Sequence, residues 1–220
     1  ILNYKALRIA QPKILAALLK FHSPLSFSPR KINQLEQLAL MLPKESLWRA
    51  KFSKNLKAIA NMEKDAIKAA KKLAAYYLKT AKSTNQWNLF SKSRIYYKIL
   101  IDFYPNHQKK IDWQMKYIET SYHGRNYEEA LLAIEDLTSS KLSKKREEEV
   151  LDLQVRISKK RWESSFSKAS KKERNPQGNL TVLNHLQKLK VNIEIYVSKY
   201  PQRKKSYSYL EILANSHKEL

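Results

Sequence analysis

The segment 94–137 reads RIYYKILIDFYPNHQKKIDWQMKYIETSYHGRNYEEALLAIEDL, and it predicts three consecutive helices. The Tyr-Pro-Asn turn at 104–106 ends the first helix, because proline has no amide hydrogen to continue helical bonding. Gly124 and Asn126 predict the second turn, and Asn126 followed by Glu129 resembles a capping box that opens the third helix. Aromatic residues stand where packed helical hairpins need bulk, so the segment predicts stacked hairpins.

The composition favours an all-α fold. The chain of 220 residues contains 2 glycines and 7 prolines, too few for the tight turns of a sheet protein or for a glycine-rich phosphate loop. Aliphatic and aromatic residues are frequent enough to build a hydrophobic core. The absence of cysteine excludes disulfides and thiolate chemistry but does not decide the compartment.

A long basic amphipathic helix is predicted between Lys44 and Lys82, where glycine and proline are absent. Its apolar residues recur about every 3.7 positions, close to the helical period, so the segment is one very long helix or two helices joined near Asn61. The polar side is almost wholly lysine, and such a face can lie on a membrane or on nucleic acid. The apolar side is rich in alanine, which suits close helix packing, and we favour packing in a core.

Other helix ends are marked by capping and breaking residues. The pair Ser28-Pro29 predicts a helix start, with serine as N-cap and proline at the first helical position. Ser143 is a second candidate cap, and residues 85–90 are expected to form a turn. Pro201 ends a helix near the C-terminus because it cannot continue the helical hydrogen bonds.

The ends of the chain are also expected to be helical. A helix is predicted over residues 2–21, and residues 171–179 (KKERNPQGN) read as an exposed linker. The last helix is expected to begin at about Ser206. Its inward residues are expected to be Leu210, Leu213 and Ala214.

The net charge of +23 is distributed unevenly. Residues 84–140 carry seven basic and seven acidic residues, whereas the segments on both sides carry a basic excess. Basic flanks of this kind attract nucleic acid, anionic lipid or an acidic protein surface. The plainer alternative is that these lysines are solvated on exposed helix faces.

Repeated spacing is the strongest functional clue in the chain. Ser93, Tyr97 and Pro105 follow the small–aromatic–proline spacing of the tetratricopeptide repeat, and residues 126–130 (NYEEA) resemble the start of a repeat helix. The phrase Tyr-Pro with two lysines following recurs at 200–205, and the two prolines are about three repeat lengths apart. The chain therefore resembles a tetratricopeptide-repeat protein.

The resemblance implies antiparallel helical hairpins stacked as an α-solenoid. It divides the chain into an N-terminal region with the long basic helix (1–83), the best-matching unit (84–142) and divergent C-terminal hairpins (143–220). The inner wall of such a superhelix forms a groove that takes an extended peptide or a partner helix. The residues implied to line this groove are Leu78, Lys82, Asn85, Asp112, Met115, Glu119 and Tyr122.

The repeats are most similar in phrasing to those of bacterial cell-envelope proteins, so a periplasmic or envelope-associated location is favoured over a cytoplasmic one. The basic clamp with which some members of the family hold a C-terminal carboxylate is not reproduced here. The longest apolar run, residues 14–19, is too short to span a bilayer. Because the first residue is Ile1, the chain is expected to be a processed product or a fragment.

No catalytic, cofactor-binding or metal-binding residues are predicted, so the chain is not expected to be an enzyme. It contains neither the G-x-S-x-G nucleophile motif nor the H-E-x-x-H zinc motif. Glu119 and His123 are four residues apart on one helix face, a spacing that suits a metal ligand pair. Without a third ligand we interpret them as a hydrogen-bonded surface pair.

The predicted function is a scaffold or adaptor within a larger complex that binds a partner protein. The alternative is a nucleic-acid-binding adaptor whose basic patch comprises Lys144, Lys145, Arg146, Lys159, Lys160 and Arg161. Nucleic acid is the less favoured partner, because the segment richest in aromatic residues is the electrically neutral one and not one of the basic flanks. A third interpretation is a structural subunit of an envelope or motor assembly, with the basic flanks on an acidic protein surface or on anionic lipid.

Overall fold

The structure is a computed structural model that describes residues 27–40, 50, 54–168 and 180–218. Within these residues the secondary structure is entirely helical, which confirms the all-α prediction. The first four helices are α1 (Pro29–Ala39), α2 (Leu56–Thr84), α3 (Trp87–Phe103) and α4 (Lys110–His123). The other four are α5 (Tyr127–Thr138), α6 (Lys144–Lys168), α7 (Leu180–Lys199) and α8 (Lys204–Lys218). The chain divides into two compact units, unit 1 up to Gly124 and unit 2 from Arg125.

Unit 1 is a series of helices in which each packs mainly on its neighbours in the chain. Helix α2 packs against both α1 and α3, and α3 packs against α4. The buried side of α2 is rich in alanine, which lets the neighbouring backbones approach closely. Ser93 of α3 is fully buried and donates a hydrogen bond of 2.7 Å to the carbonyl oxygen of Ala74 across this contact. The alanine-rich face therefore lies in a core, as the sequence indicated.

The helix starts in unit 1 follow the capping residues. The Ser28 hydroxyl accepts a hydrogen bond of 3.3 Å from the amide of Lys31, and Pro29 stands at the start of α1, as predicted. Asn55 caps α2 by accepting from the amide of Ala58 at 3.0 Å. The interpretation of 44–82 as one continuous helix is therefore wrong. The helix passes through Asn61 without a joint, and the cap lies six residues earlier.

The turn between α2 and α3 is shorter than the predicted 85–90. Asn85 ends α2 in the left-handed conformation with φ 52°, which asparagine tolerates better than most residues. Helix α3 then begins at Trp87, so the turn consists of two residues. It ends at Phe103, directly before the Tyr-Pro-Asn turn at 104–106, as predicted.

The connection from α4 to α5 lies where the sequence placed it but has different geometry. Gly124 is buried with φ −77°, and the positive φ of 62° falls on Arg125. Asn126 is the N-cap residue of α5, but its side chain makes no capping hydrogen bond. The predicted capping box therefore lacks the bond that the Asn126 side chain would accept. The division between the two compact units falls here, within the predicted unit 84–142.

Unit 2 is likewise a series of neighbouring helices, with α6 packed against α5 and α7, and α7 against α8. The Ser143 hydroxyl accepts from the amide of Arg146 at 3.4 Å, which supports its predicted role at the start of α6. Helix α7 ends at Lys199, before Pro201. Its Tyr196 is fully buried among the aromatic rings of Tyr200 and Tyr209, at the centre of the core of this unit.

The predicted inward face of the last helix is correct at Leu213, which packs against the core of unit 2, and wrong at the other two positions. Leu210 is 46% exposed and Ala214 is exposed, while Leu213 is partly buried. The buried residues of α8 are instead Ser206, Tyr209 and Ser216. The predicted helix 2–21 and the predicted linker 171–179 lie outside the described residues.

Candidate functional site

Helices α2 and α4 approach each other on one side of unit 1. The ammonium group of Lys71 lies 5.0 Å from the ring centroid of Trp113, and Lys82 forms a salt bridge of 2.6 Å with Glu119. Both pairs advance along the two helices in the same direction, so α2 and α4 run parallel. Burial, and then the nearby Lys109, lower the pKa of the Lys71 ammonium group.

Six of the seven predicted groove residues form what we call the α2–α4 face. Lys82 and Asn85 are exposed at the C-terminal end of α2, and the α4 members follow the helical period on one side of that helix. Those members are the exposed Asp112 and the partly exposed Met115, Glu119 and Tyr122. The prediction for Leu78 is wrong. This side chain is only 7% exposed and lies in the hydrophobic core, not on an open face.

Glu119 is the fixed charge of the α2–α4 face. Its carboxylate accepts hydrogen bonds from Lys116 at 2.7 Å and from Lys82 at 2.6 Å. Burial alone would raise its pKa, but the hydrogen bonds and charges of the two lysines outweigh burial, so the pKa of Glu119 is lowered. The carboxylate therefore remains ionised and joins α2 to α4.

The Glu119→Gln variant tests this role in stability. A carboxylate with a lowered folded-state pKa stabilises the fold above its unfolded pKa, and this contribution disappears as pH falls through the folded value. We expect the substitution to reduce the free energy of unfolding by about 1 kcal/mol at neutral pH. The difference from wild type should shrink below pH 4.5, the ordinary pKa of glutamate. Urea denaturation across this pH range measures it.

The control for this experiment is Glu211→Gln, which removes an exposed carboxylate from α8. It should change the free energy of unfolding by a few tenths of a kcal/mol at most. A destabilisation by Glu119→Gln that persists unchanged at acid pH would contradict the role assigned to the ionised carboxylate.

The predicted basic patch is two separate clusters on α6. Lys144 and Lys159 are about 22 Å apart along the helix axis at 1.5 Å per residue. Acidic residues compensate much of the charge: Arg146 pairs with Glu149 at 2.8 Å, and Lys159 and Lys160 both pair with Glu163. The remaining pair joins Arg161 to Glu128 of α5. The six predicted residues therefore lie at two places along α6, and four of them pair with glutamates.

Acidic residues that follow the first cluster on α6 form an ionic network that fastens the Tyr-Pro turn at 200–201 to this helix. Glu147 pairs with Lys199, and Glu148 pairs with Arg203 at 2.8 Å. Asp152 pairs with Lys205 at 2.8 Å and also accepts from the Tyr209 hydroxyl. Sequence reasoning noted the basic residues after the turn but did not pair them with the acidic run. Their role here is structural.

Unit 2 also contains a cleft of about 420 Å³ that sequence reasoning missed. The N-terminal turn of α5 forms one wall, and Arg161 and His185 contribute from α6 and α7. Burial, and then Arg161, lower the pKa of the His185 imidazole, against a smaller opposing effect of Glu128. A salt bridge joins Arg161 of α6 to Glu128 of α5 within the lining of this cleft.

Both members of the predicted Glu119–His123 pair have contacts with other residues. Glu119 is engaged by the two lysines, and the His123 ring stacks on Phe90 with a centroid distance of 5.0 Å. In the described part of the chain, no group of three or more histidine, aspartate or glutamate side chains is placed to hold a metal ion. None of its helices is both long enough and apolar enough to cross a membrane.

Comparisons of the chain with protein-family models, with curated proteins and with solved structures find no match. Any function assigned to these surfaces therefore depends on their own geometry and chemistry.

Proposed function

We propose that the protein is a tetratricopeptide-like scaffold that binds a segment of a partner protein, an extended peptide or a helix, on the α2–α4 face. In this proposal the successive helices of unit 1 form stacked hairpins, and α2 and α4 are the first helices of two adjacent ones. The partner assembly is envisaged as a larger complex, for which a bacterial cell envelope is the favoured setting.

The observation that carries the proposal is the combination of side chains on this face. Met115 and Tyr122 are partly exposed, one helical turn or less from the fixed carboxylate of Glu119. Methionine and tyrosine are enriched at protein interfaces because they bury large apolar area, and a tyrosine hydroxyl adds a hydrogen bond. Lys82 and Glu119 already neutralise each other, so a partner gains apolar contact without stripping water from an isolated charge.

Affinity measurements on substituted faces test this proposal. A peptide is first selected for binding to the intact chain from a displayed library, and its affinity is then measured by calorimetry at physiological salt. Met115→Ala and Tyr122→Ala should each weaken binding about tenfold, because truncating a central interface anchor costs 1 kcal/mol or more. The matched control is Ile95→Ala, which truncates a 51% exposed apolar residue on α3.

Retention of full affinity by both variants, or an equal loss in Ile95→Ala, would contradict binding at the α2–α4 face. The alternative function, a nucleic-acid adaptor that uses the basic residues of α6, has less support. Three glutamates compensate most of those residues, and phosphate binding would have to displace these salt bridges.

A further inference from the structure

A straight row of lysines follows the solvent-exposed side of α2. We call Lys57, Lys64, Lys68, Lys72 and Lys79 the lysine ridge. All five are exposed, and their spacing of four or seven residues, which is about one or two helical turns, places them within an arc of about 80° around the helix. At 1.5 Å per residue the ridge is about 33 Å long. The ridge is therefore a narrow line of positive charge on a rigid element.

The opposite side of α2 holds the helix in place. Met62, Ala66, Leu73 and Tyr77 on that side are buried in the core of unit 1, and α1 and α3 pack against the helix. The helix therefore cannot rotate to insert its apolar side into the interior of a lipid bilayer. The ridge itself is interrupted only by small or polar exposed positions such as Ala75, so a partner meets charge and not an apolar surface.

The ridge is unfavourable for the isolated helix. Lys64 and Lys68, and again Lys68 and Lys72, are like charges four residues apart, a spacing that destabilises a helix. Lys68 has an exposed ion pair with Asp65 at 3.8 Å. Within the described part of the chain, Lys57, Lys64, Lys72 and Lys79 have no ion-pair partner. An external anionic surface would relieve this repulsion.

Two neighbouring lysines of α2, both on the side that faces α4, are already engaged. Lys71 lies over the Trp113 ring and Lys82 pairs with Glu119. This contrast separates lysines that stabilise unit 1 from those that remain available.

We propose that the lysine ridge docks unit 1 onto the surface of an anionic lipid bilayer. A straight ridge touches a flat surface along its whole length. The phosphate strand of a nucleic acid duplex winds once around its axis in about 34 Å, so it follows a straight ridge over only part of this distance. The ridge contains lysine and no arginine or aromatic residue, which suits attraction to a charged surface and not bidentate phosphate recognition or base stacking.

Vesicle sedimentation tests the proposal with the full chain. Vesicles of phosphatidylcholine are compared with vesicles containing about one-third phosphatidylserine, at an ionic strength of about 0.15 M. We expect binding to the anionic vesicles only. The triple variant Lys64→Gln, Lys68→Gln, Lys72→Gln should bind them about 100-fold more weakly, since each lysine near such a surface contributes about fivefold. Circular dichroism checks that the variant is folded.

Two comparisons identify the surface that binds. Charge reversal at the same three lysines should weaken binding further. The control reverses the exposed Lys141, Lys145 and Lys204 of unit 2 by glutamate and gives the same net charge as the reversed ridge. It should retain most of the binding, because these lysines are not on the ridge.

Three results would overturn the proposal. The first is wild-type binding that is absent or equal on the two kinds of vesicle. The second is an equal loss in the control variant, which would assign binding to net charge alone. The third is a tighter, ridge-dependent affinity for duplex DNA than for anionic vesicles at the same salt concentration, which would assign the ridge to nucleic acid.

Discussion

Replacing Tyr196 by alanine should lower the free energy of unfolding of unit 2 by about 3–5 kcal/mol, the usual cost of truncating a large buried aromatic residue. Tyr196 is fully buried, and its ring packs edge-on against Tyr209 with a centroid distance of 5.1 Å. It also lies 5.4 Å from the ring of Tyr200 beside the Tyr-Pro turn. Its loss removes apolar burial from α7 and leaves a cavity between α7 and α8.

Hydrogen exchange in the segments of α7 measures this change in the intact chain. Tyr196→Phe keeps the ring and should retain most of the stability. Tyr207→Ala, at a position 65% exposed on α8, should cost less than 1 kcal/mol. A loss in Tyr207→Ala as large as that in Tyr196→Ala would contradict the packing of α8 on α7.

The second large effect is expected for Leu100→Ala in unit 1, which should lower the free energy of unfolding by about 2–5 kcal/mol. Leu100 of α3 is fully buried in the core that also includes Leu73 and Tyr77 of α2. Because the neighbouring α2 surface is built largely from alanines, it offers few long side chains that can move into the cavity. The loss of stability should therefore lie towards the upper end of this range.

The matched control for this variant is Leu56→Ala, which removes the same atoms from a residue that is 76% exposed at the start of α2. It should change stability by no more than about 0.5 kcal/mol. Hydrogen exchange in α2 and α3 gives both values. Equal effects of the two variants would show that α2 and α3 do not form the close contact described here.

Helix ends were the most predictable part of the fold, because their causes are local. Ser28 caps α1, and proline stops α3 and α7 at the expected places. Asn55 was missed as the start of α2, because the lysine and alanine pattern on both sides of it has the same helical period. Capping depends on one hydrogen bond to Ala58, which no periodicity can indicate.

The buried face of the last helix was not predictable from hydrophobicity. Tyr209 is buried against the Tyr196 ring, and its hydroxyl donates to Asp152, a partner 57 residues away in sequence. Leu210 follows immediately on the helix and is consequently turned towards solvent. Contacts with residues that are distant in sequence thus place Tyr209 inward, where the pattern had placed Leu210 and Ala214.

Contacts between residues distant in sequence also determine where the predicted groove residues lie. Lys82 and Glu119 were assigned to one face from repeat spacing, and the structure brings them into contact. Leu78 is only one turn from Lys82, and its burial depends on how deeply α2 enters the core. Four of the basic residues of α6 pair with glutamates on a neighbouring turn or on α5, and the order of residues in the sequence does not show these contacts.

The most direct test of the proposed partner-binding face is a methyl spectrum of the chain labelled with ¹³C-methyl methionine. The chain contains 3 methionines, of which Met115 lies on the α2–α4 face and Met62 is 3% exposed in the core. Titration with the selected peptide should shift the Met115 signal to saturation at the calorimetric affinity and leave the Met62 signal in place. Saturable binding with an unchanged Met115 signal would contradict the α2–α4 face as the partner site.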